Sequence, residues 1–95
     1  MPAIPDRDGL LNHGRSAGGP ARRARAVTPD DAADLPNYAK ALYLGVAGSV
    51  RVLTVDAADG EAVVFANHPA GYLPVQVRRV LATGTTAGQI VALFD

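Results

Sequence analysis

Five short apolar runs, separated by turn-forming residues, dominate the chain and constrain its fold more than any other feature. Each run is bounded by Gly, Pro, Asp or Asn, and the runs occupy residues 40–44, 49–56, 61–67, 75–81 and 89–94. Short runs of β-forming residues with this punctuation are typical of strands. We therefore predict an all-β fold, a small antiparallel β-sandwich or jelly-roll-like domain with almost no helix.

The connections between these runs are predicted from their turn residues. Asp59-Gly60 is the strongest hairpin signal in the chain and should join the second run to the third. Gly45 and Gly48 bracket a tight turn between the first and second runs. Strict alternation in the last run predicts that residues 90, 92 and 94 share one face of their strand.

The first 25 residues differ in character from the rest. They are rich in Gly and Pro, and their few apolar residues lack a period. Such a segment cannot bury enough apolar surface to offset its ordering entropy. We predict a flexible, extended N-terminal arm over residues 1–25 and a β-sandwich domain over residues 26–95. Residues 25–28 should form an edge strand, and residues 29–39 a long loop.

Charge is divided unevenly between the two parts, although the whole chain is neutral. Residues 1–25 carry five arginines against two aspartates, a net charge of +3. Residues 26–95 carry four cations against seven acids, a net charge of −3. A basic arm on a mildly acidic body favours binding to neighbouring copies or to another acidic protein surface.

Seven residues are candidates for an interface. The arm arginines could bind nucleic acid, but no aromatic residues are interleaved with them, so an acidic protein surface is the favoured partner. Adjacent arginines point to opposite faces of a strand, so one of residues 78 and 79 should lie at an edge or bind an acid. The candidates are Arg15, Arg22, Arg23, Arg25, Arg78, Arg79 and Tyr72.

Catalytic, metal and cofactor sites are not predicted. His68 could pair with Asp56 or Asp59, but no serine lies in the setting of a nucleophile, and a turn histidine is the favoured interpretation. The chain has no cysteine and two histidines, too few ligands for a zinc site. The acids at positions 30, 31 and 34 lack the spacing of a calcium loop. We therefore predict that the protein is not an enzyme.

Assembly is the remaining way to stabilise so small a domain. Disulfides are excluded by composition, and a compact part of about 70 residues buries only a modest core. No apolar stretch is long enough to span a membrane, and the N-terminus lacks the apolar segment of a secretory signal. We expect synthesis in the cytoplasm, no membrane partner, and a homo-oligomer.

Several segments resemble one known family. They are DLP at residues 34–36, ALYLGVAG at 41–48, the Asp59-Gly60 turn, PAGYLPVQVRRVLATGTTA at 69–87 and IVAL at 90–93. Over about residues 27–94 the chain resembles the spike base proteins of alphaproteobacterial gene transfer agents and tailed phages. These are small, all-β, non-enzymatic proteins on the head of the particle.

The resemblance implies a structural role. It implies that the chain is the base of a head spike, which anchors a separate glycan-binding fibre to the capsid. The implied partners are the major capsid protein, the spike fibre and further copies of the chain, with a five-fold ring expected at a capsid vertex. The implied location is the capsid surface of the particle. The alternative is a small carbohydrate-binding module, in which Tyr38, Tyr43 and Tyr72 form a sugar platform rather than packing in a core or interface.

Overall fold

The computed structural model describes residues 4–95 and confirms the predicted all-β class. Its strands form two antiparallel sheets, one of four strands and one of three, as expected for a small β-sandwich. Within residues 4–95 the helical content is a single 3-10 turn, Pro5–Arg7. The strands are β1 (Arg23–Ala26), β2 (Ala41–Val46), β3 (Gly48–Thr54), β4 (Val63–His68), β5 (Gly71–Leu73), β6 (Val77–Leu81) and β7 (Gly88–Phe94).

The chain crosses from one sheet to the other four times, after β2, β4, β5 and β6. The first sheet has the order β1-β7-β2-β5, and the second has the order β4-β3-β6. The turn predicted between Gly45 and Gly48 is therefore a crossing from one sheet to the other at Ala47. Gly48 lies close to the backbone of Ala87, the residue before β7. A Cβ added at Gly48 would lie 2.7 Å from Ala87 N. The second crossing, at Pro69 and Ala70, joins β4 to β5.

Alternate side chains of the strands build the core between the sheets. In β2, Leu42 and Leu44 are fully buried while Tyr43 between them is exposed. The alternation predicted for the last strand is confirmed, because its buried side chains are those at positions 90, 92 and 94. The core cluster consists of Ala39, Leu42, Leu44, Val50, Val52, Leu73, Val77, Val80, Ala87, Ile90 and Ala92.

Two predicted boundaries differ from the observed ones. The first strand is β1, which begins two residues before the predicted edge strand and pairs with β7. The division predicted between residues 25 and 26 therefore falls inside β1. Asp59-Gly60 does lie in a turn, with Glu61 N 2.9 Å from Ala58 O. That turn belongs to a connection over residues 55–62, which is longer than the predicted hairpin turn.

The two sides of the sandwich differ in how their strand edges are covered. On one side, the loop after β1 runs along β6, with Leu35 N 2.7 Å from Arg78 O and Ala39 N 2.9 Å from Val77 O. On the other side lie β4 and β5, which end their sheets and are joined by the second crossing. We call the side formed by β4, β5 and residues 55–62 the open flank. No helix within residues 4–95 is long and apolar enough to cross a membrane.

Candidate functional site

Within residues 4–95, the side chains considered for catalysis do not come together in one site. His68 ends β4, and its Nδ1 lies 2.6 Å from Pro69 O. Asp56 and Asp59 come before Val63, the first residue of β4. The six residues of β4 span about 17 Å at the usual rise of a strand, so His68 lies at the opposite end of the strand from these aspartates. The described residues likewise contain no group of three or more His, Cys, Asp or Glu that could hold a metal ion.

The three acids at positions 30, 31 and 34 each bind a different part of the chain. Asp31 accepts hydrogen bonds from Thr83 N at 2.9 Å and from Thr83 Oγ1 at 2.6 Å. Asp30 accepts a bond from Ala32 N at 2.8 Å, which closes a local turn. Asp34 instead faces β6. Asp31 and Asp34 therefore fasten the loop to β6 and the residues just after it, Asp30 closes a local turn, and the three carboxylates do not converge on a shared ligand.

Arg78 and Arg79 bind the same carboxylate. Arg78 Nη1 lies 2.9 Å from Asp34 Oδ1, and Arg79 Nε lies 2.7 Å from the same oxygen. Arg78 also contacts Asp59 Oδ1 at 2.7 Å and Ala57 O at 2.9 Å. The predicted acidic partner is therefore present. Both arginines belong to the described chain's own ion-pair network, which ties the loop and residues 57–59 to β6.

A β-bulge explains how consecutive arginines reach one acid. Leu53 is opposite Arg79 and Thr54 is opposite Val77, so Arg78 has no partner across the ladder. An extra residue of this kind bends the strand and breaks strict alternation. Because β6 also ends its sheet, both guanidinium groups can meet Asp34 at the edge. Strict alternation of side chains along the strand predicts opposite faces for adjacent arginines, and it therefore does not predict a shared acid.

The network sets the charge states of its members. Partial desolvation works to raise the pKa of the Asp34 carboxyl, but hydrogen bonds from Arg79 and Arg78 and their positive charges hold that pKa below its usual value. Hydrogen bonding to Asp59, and then to Asp34, raises the pKa of Arg78. Hydrogen bonds from Thr83 lower the pKa of Asp31. Asp34 and Arg78 are therefore both charged at neutral pH.

The predicted arm arginines are exposed, and they have different partners. Arg22 forms an ion pair with Asp8 and donates to Leu10 O at 3.2 Å. Arg23 lies over the ring of Phe94, with its Cζ 5.4 Å from the ring centroid. Arg15 and Arg25 form no ion pair within residues 4–95.

Lys40 fastens the arm to the body, and sequence reasoning did not single it out. Its Nζ donates to Ser16 O at 2.7 Å and lies 3.1 Å from Asp95 Oδ2. The Lys40 side chain is only 9% exposed. A lysine at the start of an apolar strand carries no pattern that would mark this role, because its partners are a backbone carbonyl 24 residues earlier and an acid 55 residues later.

A pocket of about 200 Å³ opens beside β1, between the sheets. Val27, Val80 and Phe94 contribute apolar walls, and Arg25 and Asp30 bring charge to its lining. It contains no arrangement of nucleophile and base. Its size matches one or two apolar side chains better than a drug-sized ligand, for which pockets of about 300–1,000 Å³ are usual.

Large apolar side chains are exposed on the open flank and on the outer face of the first sheet. Val63 and Val64 of β4 are 50% and 47% exposed. Tyr72 of β5 is 56% exposed and lies directly opposite Tyr43 of β2, which is 47% exposed. Exposed apolar groups of this size can mark binding surfaces, which makes both places candidates for assembly.

Comparison with solved structures finds similarity over almost the whole chain. No protein-family model matches the chain, and no curated protein matches it. The chain is similar to a solved chain from the capsid of a native gene transfer agent particle, computed with C5 symmetry. The two are 32% identical with a TM-score of 0.78, and the match covers 90% of this chain and 98% of that one.

Proposed function

This chain belongs to the family of that gene transfer agent capsid component, and on this premise we propose that it forms the base of a head spike. The coarser role is that of a structural protein of such a particle. In the proposed role the chain sits on the capsid surface at a vertex, contacts the major capsid protein, and carries a separate receptor-binding fibre that reads a cell-surface glycan.

The observation that carries the proposal is the extent of the similarity. At 32% identity the match runs over 98% of the capsid chain, so it rests on a whole fold and not on one motif. Similarity to a capsid component is consistent with a non-enzymatic role. We therefore infer that the chain acts by binding, with no cofactor.

A ring of copies suits the physical properties of the body. The domain has no disulfide and a small core, so association would add stability that the monomer lacks. Cyclic homo-oligomers are a common form of association, and a pentamer would match the symmetry of a capsid vertex. The exposed apolar groups of the open flank support association in preference to an isolated monomer.

The N-terminal arm is the proposed link to the capsid or to a neighbouring subunit. It is basic, and within residues 4–22 the structure contains no β-strand. It contacts the body at Lys40, which binds Ser16 O, and through Arg22 N, which donates to Phe94 O just before β1 begins. A tether of this kind can be exchanged onto another surface without unfolding the sandwich.

Removal of residues 1–21 tests the proposal while keeping β1 intact. The truncated chain should retain its β-sandwich circular dichroism spectrum but should no longer bind particles that lack the endogenous protein, as measured by co-sedimentation. The control is the full-length wild-type chain, which should bind these particles. Failure of the full-length chain to bind such particles would overturn the proposed function, and binding by the truncated chain would overturn the role of the arm.

Direct glycan binding is the second candidate function, and the Tyr43–Tyr72 pair favours it. The two rings belong to directly opposed residues of neighbouring strands and are about half exposed. Opposed residues on one face lie about 5 Å apart at their Cβ atoms, which would form a continuous aromatic surface. Such a surface can stack on a sugar ring, while Tyr38 donates to Asp34 Oδ2 at 3.2 Å and lies in the loop.

A glycan array with the purified chain distinguishes the two functions. Binding that is lost in Tyr43→Ala and Tyr72→Ala but kept in Tyr38→Ala would support direct glycan recognition. If the wild-type chain binds no glycan but does bind spike-deficient particles, only the structural role is supported.

A further inference from the structure

The open flank presents an uncharged apolar strand at the end of its sheet. β4 has the sequence VVFANH and pairs on one side only, with β3. Val63 and Val64 are about half exposed, and the strand contains no lysine, arginine or proline. Natural proteins usually protect such edges with charges, prolines or a covering segment, because a bare edge pairs readily with another chain.

The strand edge on the opposite side of the sandwich, that of β6, is covered by a loop, whereas the edge of β4 on the open flank is not. The loop after β1 places Asp30 N 2.9 Å from Val80 O and Leu35 N 2.7 Å from Arg78 O, which covers the edge of β6. Among the described residues, no comparable segment runs along β4. The difference indicates that β4 is kept free for a partner.

The charges around the open flank are acidic. Residues 55–76 contain Asp56, Asp59 and Glu61 and no lysine or arginine. Asp59 is bound by Arg78, whereas Asp56 and Glu61 are exposed and form no ion pair within residues 4–95. A partner for this flank should therefore be basic and should offer a strand edge.

Strand β1 has the complementary properties. It ends the first sheet, it pairs only with β7, and all four of its residues are exposed. Residues 20–29 contain Arg22, Arg23 and Arg25 and no acid. Arg23 and Arg25 form no ion pair in the described part of the chain, so their charges are available to a partner.

We propose that the open flank of one copy binds the basic β1 edge of the next copy, so that copies associate head to tail. The partner is a second molecule of this chain, chosen by charge complementarity between two different surfaces of the same molecule. The inference deepens the proposed function and rests on it only for the statement that copies meet on a particle. A contact between two different surfaces repeats from copy to copy, and it closes into a ring when the rotation permits.

Charge reversal on each surface tests the pairing. Purified wild-type chain should associate in a concentration-dependent manner in analytical ultracentrifugation. Arg23→Glu with Arg25→Glu, and separately Asp56→Lys with Glu61→Lys, should each raise the concentration for half-association at least about tenfold, because like charges would then meet. Combining all four substitutions in one chain should restore association. Arg23→Lys with Arg25→Lys, which keeps both positive charges on β1, is the matched control and should leave association nearly unchanged.

A second variant tests the apolar edge without touching these charges. Val64→Lys places a cation on the exposed β4 strand, where it would face Arg23 and Arg25 of the next copy, and it should weaken association. Each variant is checked by circular dichroism and thermal melting, so that loss of association is compared only among folded chains.

The outcomes separate this inference from the proposed function. A wild-type chain that stays monomeric but binds spike-deficient particles overturns the head-to-tail contact and leaves the spike-base role standing. If the chain does not self-associate and Val64→Lys abolishes its binding to particles, the contact is likewise overturned, because a different particle protein would then cover the flank.

A chain that associates as described but never binds particles would support the contact and remove the proposed function. If the variant with all four substitutions is folded and stays dissociated, the two surfaces do not pair with each other.

Discussion

Asp34 Oδ1 accepts a hydrogen bond from Arg79 Nε at 2.7 Å, although 45 residues separate them in the chain. Arg78 binds the same oxygen at 2.9 Å, through the bulge that breaks the alternation of β6. This contact holds the loop after β1 against the edge of β6. The covering of the β6 edge by this loop therefore depends in part on the Asp34 contacts.

Asp34→Asn should lower the free energy of unfolding by about 2 kcal/mol, because two guanidinium groups lose a charged acceptor. Arg78 is only 8% exposed, so water replaces that acceptor poorly. Urea denaturation at pH 7 measures the change. Asp30→Asn is the control, since Asp30 is exposed and accepts only a local bond from Ala32 N. Equal stability of the two variants would contradict the role assigned to Asp34.

Stability should fall with acid. The pKa values of Asp8, Asp31 and Asp34 are lower in the folded chain than usual, through bonds to Arg22, to Thr83 and to Arg79 and Arg78 respectively. The unfolded chain, with aspartate pKa values of about 3.9, therefore takes up protons first. The stabilisation from these carboxylates is fully present above the unfolded value and is lost as the pH falls through the folded values.

Urea midpoints at pH 7, 5 and 3 test this dependence. The midpoint should change little between pH 7 and 5 and should drop by pH 3. The drop should be smaller in Asp34→Asn, which has already lost one of the contributing carboxylates. A midpoint that is independent of pH would contradict the prediction.

Gly48→Ala should destabilise the sandwich by about 1–3 kcal/mol, as expected for overpacking. An added Cβ would lie 2.7 Å from Ala87 N and 2.9 Å from Ala87 Cα, and backbone atoms cannot move aside as a flexible side chain would. Gly60→Ala is the control, since nothing lies within 4 Å of its added Cβ. Thermal melting of both variants measures the difference, and an unchanged Gly48→Ala would show that the crossing can relax.

Lys40→Met should loosen the arm from the body while keeping the fold. Lys40 Nζ loses its contacts with Ser16 O and Asp95 Oδ2, and the apolar stem of the side chain is largely retained. Trypsin should then cleave after Arg15 and Arg22 several-fold faster than in the wild-type chain, as followed by mass spectrometry. Lys40→Arg should show a smaller increase, and equal cleavage rates in all three chains would contradict the role of Lys40.

Leu44→Ala should lower the free energy of unfolding by about 2–5 kcal/mol, since it removes a fully buried side chain from the core. Leu10→Ala is the matched control in the arm, where Leu10 is 56% exposed. We expect the control to change stability by less than about 0.5 kcal/mol. Urea denaturation at neutral pH compares the two.

The sequence by itself determined the fold class and most of the strand positions, because short apolar runs and turn residues act locally. Alternation in β7 and the long loop after β1 followed from patterns that span a few residues. Composition likewise excluded disulfides, because the chain has no cysteine.

Only the tertiary structure decided which strands share a sheet, where β6 bulges, and which edges are covered. The pairing of Asp34 with Arg78 and Arg79, the clamp of Lys40 on the arm, and the opposition of Tyr43 and Tyr72 all join residues far apart in sequence. Local patterns carry no record of such contacts, since strand order is selected by the packing of the two sheets as a whole. The open flank is therefore a property of the folded chain, although every residue in it can be read from the sequence.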